Sequence, residues 1–315
     1  MTNDNKLIKR RTIIPHPAVE INISILGLLR KNLGKDLMTI SLPVSINEPL
    51  SALQRQCEEL EYSELLDTAS EQTSSKERLL YVTAFAISGY ASSQYRIGRK
   101  PFNPVLAETY ECIRPDRGFR FIAEKVSHHP NCFAESNHFQ FRQTVTGRTK
   151  FWGKSLEWIP EGSNHITLPK HNEHYTYTKP SSWVRNIVAG TRYLDHVGDM
   201  QVTNHATGEY AIVSFMESTG GGFFGVAKDR NNIMARFYNP SHQLLFKVTG
   251  KWSDILIQDQ RTIWKVNPPA LTDYKDYYGF TQYCMELNEV TELEKGKLPK
   301  TDTRHRPDQR FFENG

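Results

Sequence analysis

Two short segments gather polar groups on restrained backbone. The first is Arg99-Lys100-Pro101-Phe102-Asn103-Pro104, whose prolines fix the chain and orient Lys100 and Asn103 more firmly than an ordinary loop would. The second is Glu124-Lys125-Val126-Ser127-His128-His129-Pro130, at the end of an alternating run. Adjacent histidines on an extended strand point to opposite faces, so His128 and His129 reach one ligand only if the chain turns, which Pro130 encourages. An ammonium, an amide and two imidazoles make a donor set suited to a phosphate monoester. By composition alone, one buried structural histidine and one surface histidine is the simpler account of the pair.

Catalysis finds little support. The chain has 11 histidines, yet no H-E-x-x-H, C-x-x-C or G-x-S-x-G pattern occurs. Gly220 to Gly225 lacks the Lys-Ser/Thr of a phosphate loop and reads as a tight turn. Gln309 to Glu313 faintly resembles a two-phenylalanine docking motif without its acidic flank, and reads as packing. Cys57, Cys112, Cys132 and Cys284 show no zinc or disulfide spacing, so a reduced, cytoplasmic protein without bound metal or nucleotide is expected.

The elements that must position these groups fall into a helical front and a β-rich body. Val19, Ile23, Leu26, Leu29 and Leu33 share one face of a helix opening at His16-Pro17 and closing at Gly34. Ile21, Ile25 and Leu28 make it more apolar than a surface helix needs, so it should cover something apolar, as a core helix or as a lid. A second helix is expected with Asn47 as N-cap and Leu50, Leu53, Cys57 and Leu60 on its face. A third follows a capping box at Ser74 to Glu77 and runs to near Gly98. From Arg117 onward, alternating pairs (Phe119/Phe121, Phe139/Phe141, Ile166/Leu168, Tyr175/Tyr177, Tyr210/Ile212) separated by turn signals predict an antiparallel meander that curls around a cavity. The charged, proline-containing tail from Thr291 to Gly315 is expected to wrap the surface.

Lys+Arg 39 against Asp+Glu 35 gives a net charge of +4 over 315 residues, too mild for a nucleic-acid partner. It suits visits to an anionic membrane surface, where each well-placed cation contributes about 1 kcal/mol. No run approaches the ~20 apolar residues of a spanning helix, and the basic, interrupted N-terminus is a poor signal peptide. Asn22-Ile23-Ser24 is a sequon by chance.

At this point the chain resembles a known family. Glu124 to Pro130 is similar to the signature E-Q-V-S-H-H-P-P of the oxysterol-binding-protein-related family, and Lys100 to Glu108 to its K-P-F-N-P-L-L-G-E motif. Agreement continues in order at Gly34 to Leu37, Leu42 to Val44, Asn47 to Ser51, Glu61 to Asp67, Phe151 to Ser155, Thr301 to Arg304 and Pro307-Asp308. The resemblance implies a mainly β (α+β) fold: a large, near-complete antiparallel β-barrel around a hydrophobic tunnel, an N-terminal lid and a helical front layer. It divides one lipid-binding domain, 1–315, into lid and lid helix (1–45), helical layer (46–98), barrel (99–290) and charged tail (291–315).

It also implies function. Family members extract phosphatidylinositol 4-phosphate, and many exchange it for a sterol or another lipid. By motif position Lys100, Asn103, His128 and His129 should hold the phosphates, while Leu37, Met38, Thr39 and Ile40 match the lid stretch that contacts the lipid. Phosphates beside imidazoles favour their protonated form, so affinity should fall as pH rises through the histidine range. Membrane contact through the lid and through Arg96, Arg99 and Lys100 is expected, by a monomer peripheral on organelle membranes. Asn131 stands in place of the signature's second proline and Ala107 in place of a glycine, which should alter loop geometry without removing binding. The chain also stops where the family's long C-terminal helix would begin, which suggests a fragment or weaker headgroup binding. Leu42 to Pro49 does not resemble the segment of the phosphatidylserine carriers, which tilts the second ligand toward sterol, or toward phosphoinositide alone. A phosphoinositide sensor or scaffold remains the alternative, and an enzyme acting on phosphoinositides the weakest reading.

Overall fold

Alternating apolar residues after the helical front build one very large sheet, seen in a computed structural model that describes residues 8–18, 27, 44–96, 99–127, 130–188, 191–218 and 230–314, the side chains of 275 and 311–314 excepted. The expected lid helix, apart from residues 17, 18 and 27, and the glycine run Gly220 to Gly225 lie outside the described residues.

The front begins with β1 (Asn47–Ser51), α1 (Ala52–Glu58), α2 (Glu64–Glu71) and α3 (Ser75–Ser88), followed by a short β2 (Lys100–Phe102). The helix expected to start at Asn47 starts instead after Ser51. Ser51 Oγ accepts from the Gln54 amide and the Gln54 side chain accepts from the Ser51 amide, a complete capping box. Asn47 to Ser51 is drawn into a buried strand because it pairs in parallel with β2, Asn47 opposite Lys100 and Ser51 opposite Phe102. The box expected at Ser74 makes no side-chain cap bond, and α3 ends at Ser88, well before Gly98. Helix α2 had no counterpart in the sequence reading.

The body comprises β3 (Thr109–Arg114), β4 (Phe119–Glu124), β5 (Asn131–Ser136), β6 (Gln140–Thr144), β7 (Gly147–Phe151), β8 (Leu156–Pro160), β9 (Asn164–Leu168) and β10 (Glu173–Tyr177). It continues through β11 (Ser181–Arg185), β12 (Tyr193–Asn204), β13 (Tyr210–Phe215), β14 (Asn232–Tyr238), β15 (Leu244–Lys251), β16 (Ile255–Gln258) and β17 (Arg261–Lys265). Twelve strands follow one antiparallel path, β17-β16-β15-β14-β13-β12-β10-β9-β6-β5-β4-β3, and β7, β8 and β11 branch from it beside β12. The path does not close, so this is a near-complete barrel with edges at β3 and β17.

Its inner face carries Phe121, Phe141, Ile166, Tyr175, Met200, Val202, Val213 and Phe237, each at most 2% exposed. Burying each such side chain stabilises by about 1.5–3 kcal/mol. Helix α1 lies on β3 and β4 while α3 reaches β12, β13 and β17, so the helices occupy the concave side, with Phe85 edge-on to Phe141 at 5.7 Å. In β13 the phase is opposite to the one expected: Ala211, Val213 and Phe215 are inward, whereas Tyr210 is outside, stacked on Tyr238 at 5.1 Å. The β3 edge is covered by the C-terminal segment, where the Thr109 amide donates to Thr301 and Arg304 Nη2 to the Glu111 carbonyl. The expected surface wrap therefore holds for Lys295 to Lys297, which are exposed, but not from Asp302 on. Asp302, Thr303, Arg304 and Gln309 are buried, and α4 (Gln282–Glu286) and α5 (Pro307–Asn314) belong to the packed front.

His196 joins three of these elements. Its Nε2 lies 3.0 Å from Ser93 Oγ in the front and its Nδ1 lies 2.8 Å from Ser182 Oγ in β11, while Trp252 packs edge-on at 4.7 Å. A neutral ring donates to one hydroxyl and accepts from the other. Burial, helped by Lys179, pushes its pKa down to about 3. The folded value lies below the unfolded one, so this contribution is complete above pH ~6.5 and is lost as pH falls toward 3. Between pH 7 and 5 the protein should lose about 2 kcal/mol through this ring. Urea midpoints at both pH values check it: His196→Gln should start lower and change less, and parallel losses in both proteins would refute the assignment.

Candidate functional site

Lys100 and Asn103 sit at the start of the barrel, Lys100 in β2, whose backbone pairs in parallel with β1, and Asn103 just past the end of that strand. Asn47 Nδ2 donates to the Lys100 carbonyl at 3.4 Å. The Lys100 side chain is half-buried, and desolvation alone pushes its pKa below the ordinary lysine range. Among the described residues no carboxylate pairs with it. A partly dehydrated ammonium without a counter-ion gains most from an anionic ligand.

The following loop is held from both sides. Arg306 Nη1 donates to the Asn103 carbonyl at 2.8 Å and to Glu108 Oε2 at 2.9 Å, while Arg306 Nη2 reaches Asp308 at 2.6 Å. Glu108 Oε2 in turn accepts from the Val105 amide at 2.9 Å. This loop also touches the second motif. The Ala107 amide donates to the Lys125 carbonyl, the Lys125 amide to the Glu108 carbonyl, each at 3.0 Å, and Lys125 Nζ to the Pro104 carbonyl at 2.8 Å. Sequence reasoning missed Lys125 and Arg306 as the residues that brace the site. Their signals were a lysine where the family signature has glutamine, and a cation just before Pro307-Asp308.

The structure therefore brings Lys100 and Asn103 beside the segment that leads into His128 and His129. Those two histidines, with Leu37, Met38, Thr39 and Ile40, lie outside the described residues. Arg96 does not face a membrane. Its side chain is 4% exposed, Nη1 bonds Glu58 at 2.7 Å and Glu48 at 3.4 Å, and the guanidinium lies over Phe280. Two buried carboxylates outcompete any lipid for it. Arg99 stays half-buried, donating to the Ser45 carbonyl and covering Tyr278.

Both departures from the family motifs have a local account. Asn131 opens β5 opposite Glu124 and Thr144, and its Oδ1 accepts from Thr144 Oγ1 at 2.7 Å. Ala107 keeps the left-handed conformation that glycine adopts freely, φ 66°, so its backbone is strained rather than rearranged. Such a conformation costs a residue with a Cβ about 1–2 kcal/mol, part of which glycine's looser unfolded chain returns. Ala107→Gly should therefore raise stability by about 1 kcal/mol, read as a higher urea midpoint; a lower one would show that the methyl group contributes packing.

All four cysteines are buried and free. Among the described residues no cluster of histidines, cysteines and carboxylates could hold a metal ion, and no helix is long and apolar enough to cross a membrane.

Comparison with known proteins agrees with this architecture. A family model described as oxysterol-binding protein matches residues 24–315. The chain is 46% identical over 316 residues to human oxysterol-binding protein-related protein 3, covering 98% of this chain and 35% of that protein. It is 39% identical over 317 residues to oxysterol-binding protein homolog 3 of Saccharomyces cerevisiae, covering 98% and 31%. Among solved structures, the Osh3 ORD of Saccharomyces cerevisiae in complex with PI(4)P superposes with a TM-score of 0.89 at 38% identity, covering 98% of this chain and 82% of that one. The Osh1 ORD domain in complex with cholesterol gives 0.85 at 31% identity, covering 98% and 78%. The barrel, the braced motif loops and these matches together show that the chain belongs to the oxysterol-binding protein family. It spans about a third of the length of the curated relatives named above.

Proposed function

We propose that this chain is a lipid carrier that extracts phosphatidylinositol 4-phosphate from a membrane and exchanges it for a sterol. The observation that carries the reading is the half-buried Lys100 ammonium, without an acidic partner among the described residues, on the strand that leads into a loop braced against the second motif. In this reading Lys100, Asn103, His128 and His129 hold the phosphates at the mouth. Leu37, Met38, Thr39 and Ile40 close over the glycerol region. The apolar tail leaves the bilayer because an equivalent surface replaces it, at about 25 cal/mol per Å². One structural neighbour was solved with PI(4)P and two with sterols, which supports both cargoes on one scaffold. The carrier works as a monomer, peripheral on organelle membranes, and does no chemistry on its lipid.

Extraction of labelled phosphatidylinositol 4-phosphate from liposomes into the supernatant tests the reading. Stoichiometric extraction, with release when sterol vesicles are added, supports exchange. Retention of all label on the liposomes would overturn it, and free inorganic phosphate would instead indicate an enzyme.

A further inference from the structure

The branch strands β7, β8 and β11 form a wing whose composition the lipid site does not use. No residue of β7 or β11 is buried, and in β8 only Glu157 is. Yet the wing and its turn carry three of the chain's five tryptophans, Trp152, Trp158 and Trp183. Trp152 is 58% exposed and stacks on Trp183 at 6.3 Å. Arg185 lies over the Trp183 ring at 4.2 Å and Lys150 over Trp152 at 5.9 Å, and Val188, three residues after Arg185, is 44% exposed. The Trp152 ring is not loose, since its Nε1 donates to Glu157 Oε2 at 2.9 Å.

The register places this wing at one end of the barrel. Its root is Thr144 to Gly147 and Glu161 to Ser163, where the Val145 amide donates to the Pro130 carbonyl at 3.0 Å. Pro130 directly follows His129, so the wing rises from the same rim as the second motif. Strand β12 confirms the direction: Gly198 to Thr203 pairs with β13 in the barrel wall, while Tyr193 to Val197 runs on beyond it to pair with β11.

Resting on the reading above, in which that rim faces a membrane, we infer that the wing is a second membrane contact, which seats Trp152 and Trp183 in the headgroup layer of an anionic bilayer. Tryptophan belongs in that layer because its ring is apolar and its N–H polar. The charge balance suits an anionic surface. Arg185 is paired with Glu217 and Asp195, and Arg148 with Glu161, whereas Lys150 and Lys154 have no acidic partner among the described residues. A cation over an indole keeps its stem on apolar surface and its charge toward lipid phosphate.

The test uses vesicles of phosphatidylcholine with or without phosphatidylserine, free of phosphoinositide and sterol, so that a failure here is separate from a failure of cargo binding. Partition is measured by flotation for the full chain, Trp152→Ala/Trp183→Ala and Trp152→Phe/Trp183→Phe. The alanine pair should bind phosphatidylserine vesicles about tenfold more weakly, and the phenylalanine pair should recover part of that loss. Brominated acyl chains should quench wild-type fluorescence much more than that of the phenylalanine pair, which keeps the half-buried Trp158 on the wing and Trp252 and Trp264 buried in the barrel. Equal partition of all three folded proteins, or quenching unchanged by the substitutions, would overturn the inference and leave the patch to a protein partner. Should the alanine pair not fold, the quenching comparison with the phenylalanine pair decides alone.

Discussion

Lys100→Ala should abolish phosphatidylinositol 4-phosphate extraction while leaving sterol uptake within about twofold of wild type. The argument is electrostatic. Charge-assisted contacts to a phosphate contribute about 1.5–3 kcal/mol each, and loss of the partly desolvated Lys100 ammonium costs the upper end of that range, about a hundredfold in affinity. A sterol brings no phosphate, so it does not call on Lys100. His128→Ala/His129→Ala should give the same split if both rings face the headgroup. Lys100→Arg is a sharper control. A guanidinium retains the charge but not the compact point-like ammonium that strand β2 presents, so partial recovery is expected. Loss of both cargoes in Lys100→Ala, with an unchanged urea midpoint, would assign Lys100 to the tunnel as a whole and not to the headgroup.

The second large effect lies away from the mouth. Arg304→Met should destabilise the protein by about 3–5 kcal/mol, because removing one member of a buried ion network leaves the other charges uncompensated. Arg304 is 3% exposed, bonds Asp302 Oδ1 at 2.8 Å and Glu294 at 3.0 Å, and donates to the Glu289 and Glu111 carbonyls. Its guanidinium also lies over Tyr110 at 4.9 Å. Asp302 and Glu294 would remain buried without a cation, and the β3 edge would lose its cover. Arg306 follows two residues later and holds the Asn103 carbonyl, so the loop that carries Asn103 should loosen with the network. Urea unfolding measures the loss. Asp302→Asn added to Arg304→Met should recover part of it, and a single-variant cost below about 1 kcal/mol would mean that the network is not closed in solution.

Much of this architecture was readable before any coordinates. The alternation at Phe119/Phe121, Ile166/Leu168 and Tyr175/Tyr177 gave both strand and inward phase, because one face of each strand is apolar and the other polar. Tyr210/Ile212 failed for a physical reason. Both faces of β13 are apolar there, and outward Tyr210 stacks on Tyr238 while Ile212 covers Arg236 across the pair. Asn47 and Ser51 are both good caps, and only the pairing of Asn47 with Lys100, distant in sequence, decides between them. Burial of Arg96 was illegible for the same reason, since Glu48 and Glu58 reach it across the fold. The charged tail read as surface because ion pairs that satisfy each other inside a protein have the same composition as solvated ones. At the site, proline spacing marked Lys100 and Asn103, whereas the bracing by Lys125 and Arg306 depends on contacts that no local pattern records.

The central claim is that one lipid at a time occupies the chain, with its phosphate at Lys100. Native mass spectrometry on protein recovered from vesicles containing both phosphatidylinositol 4-phosphate and sterol measures this directly. The account predicts two singly loaded species for wild type, whose ratio follows vesicle composition, and the sterol species alone for Lys100→Ala. A doubly loaded species, or phosphoinositide retained by Lys100→Ala at wild-type occupancy, would contradict it.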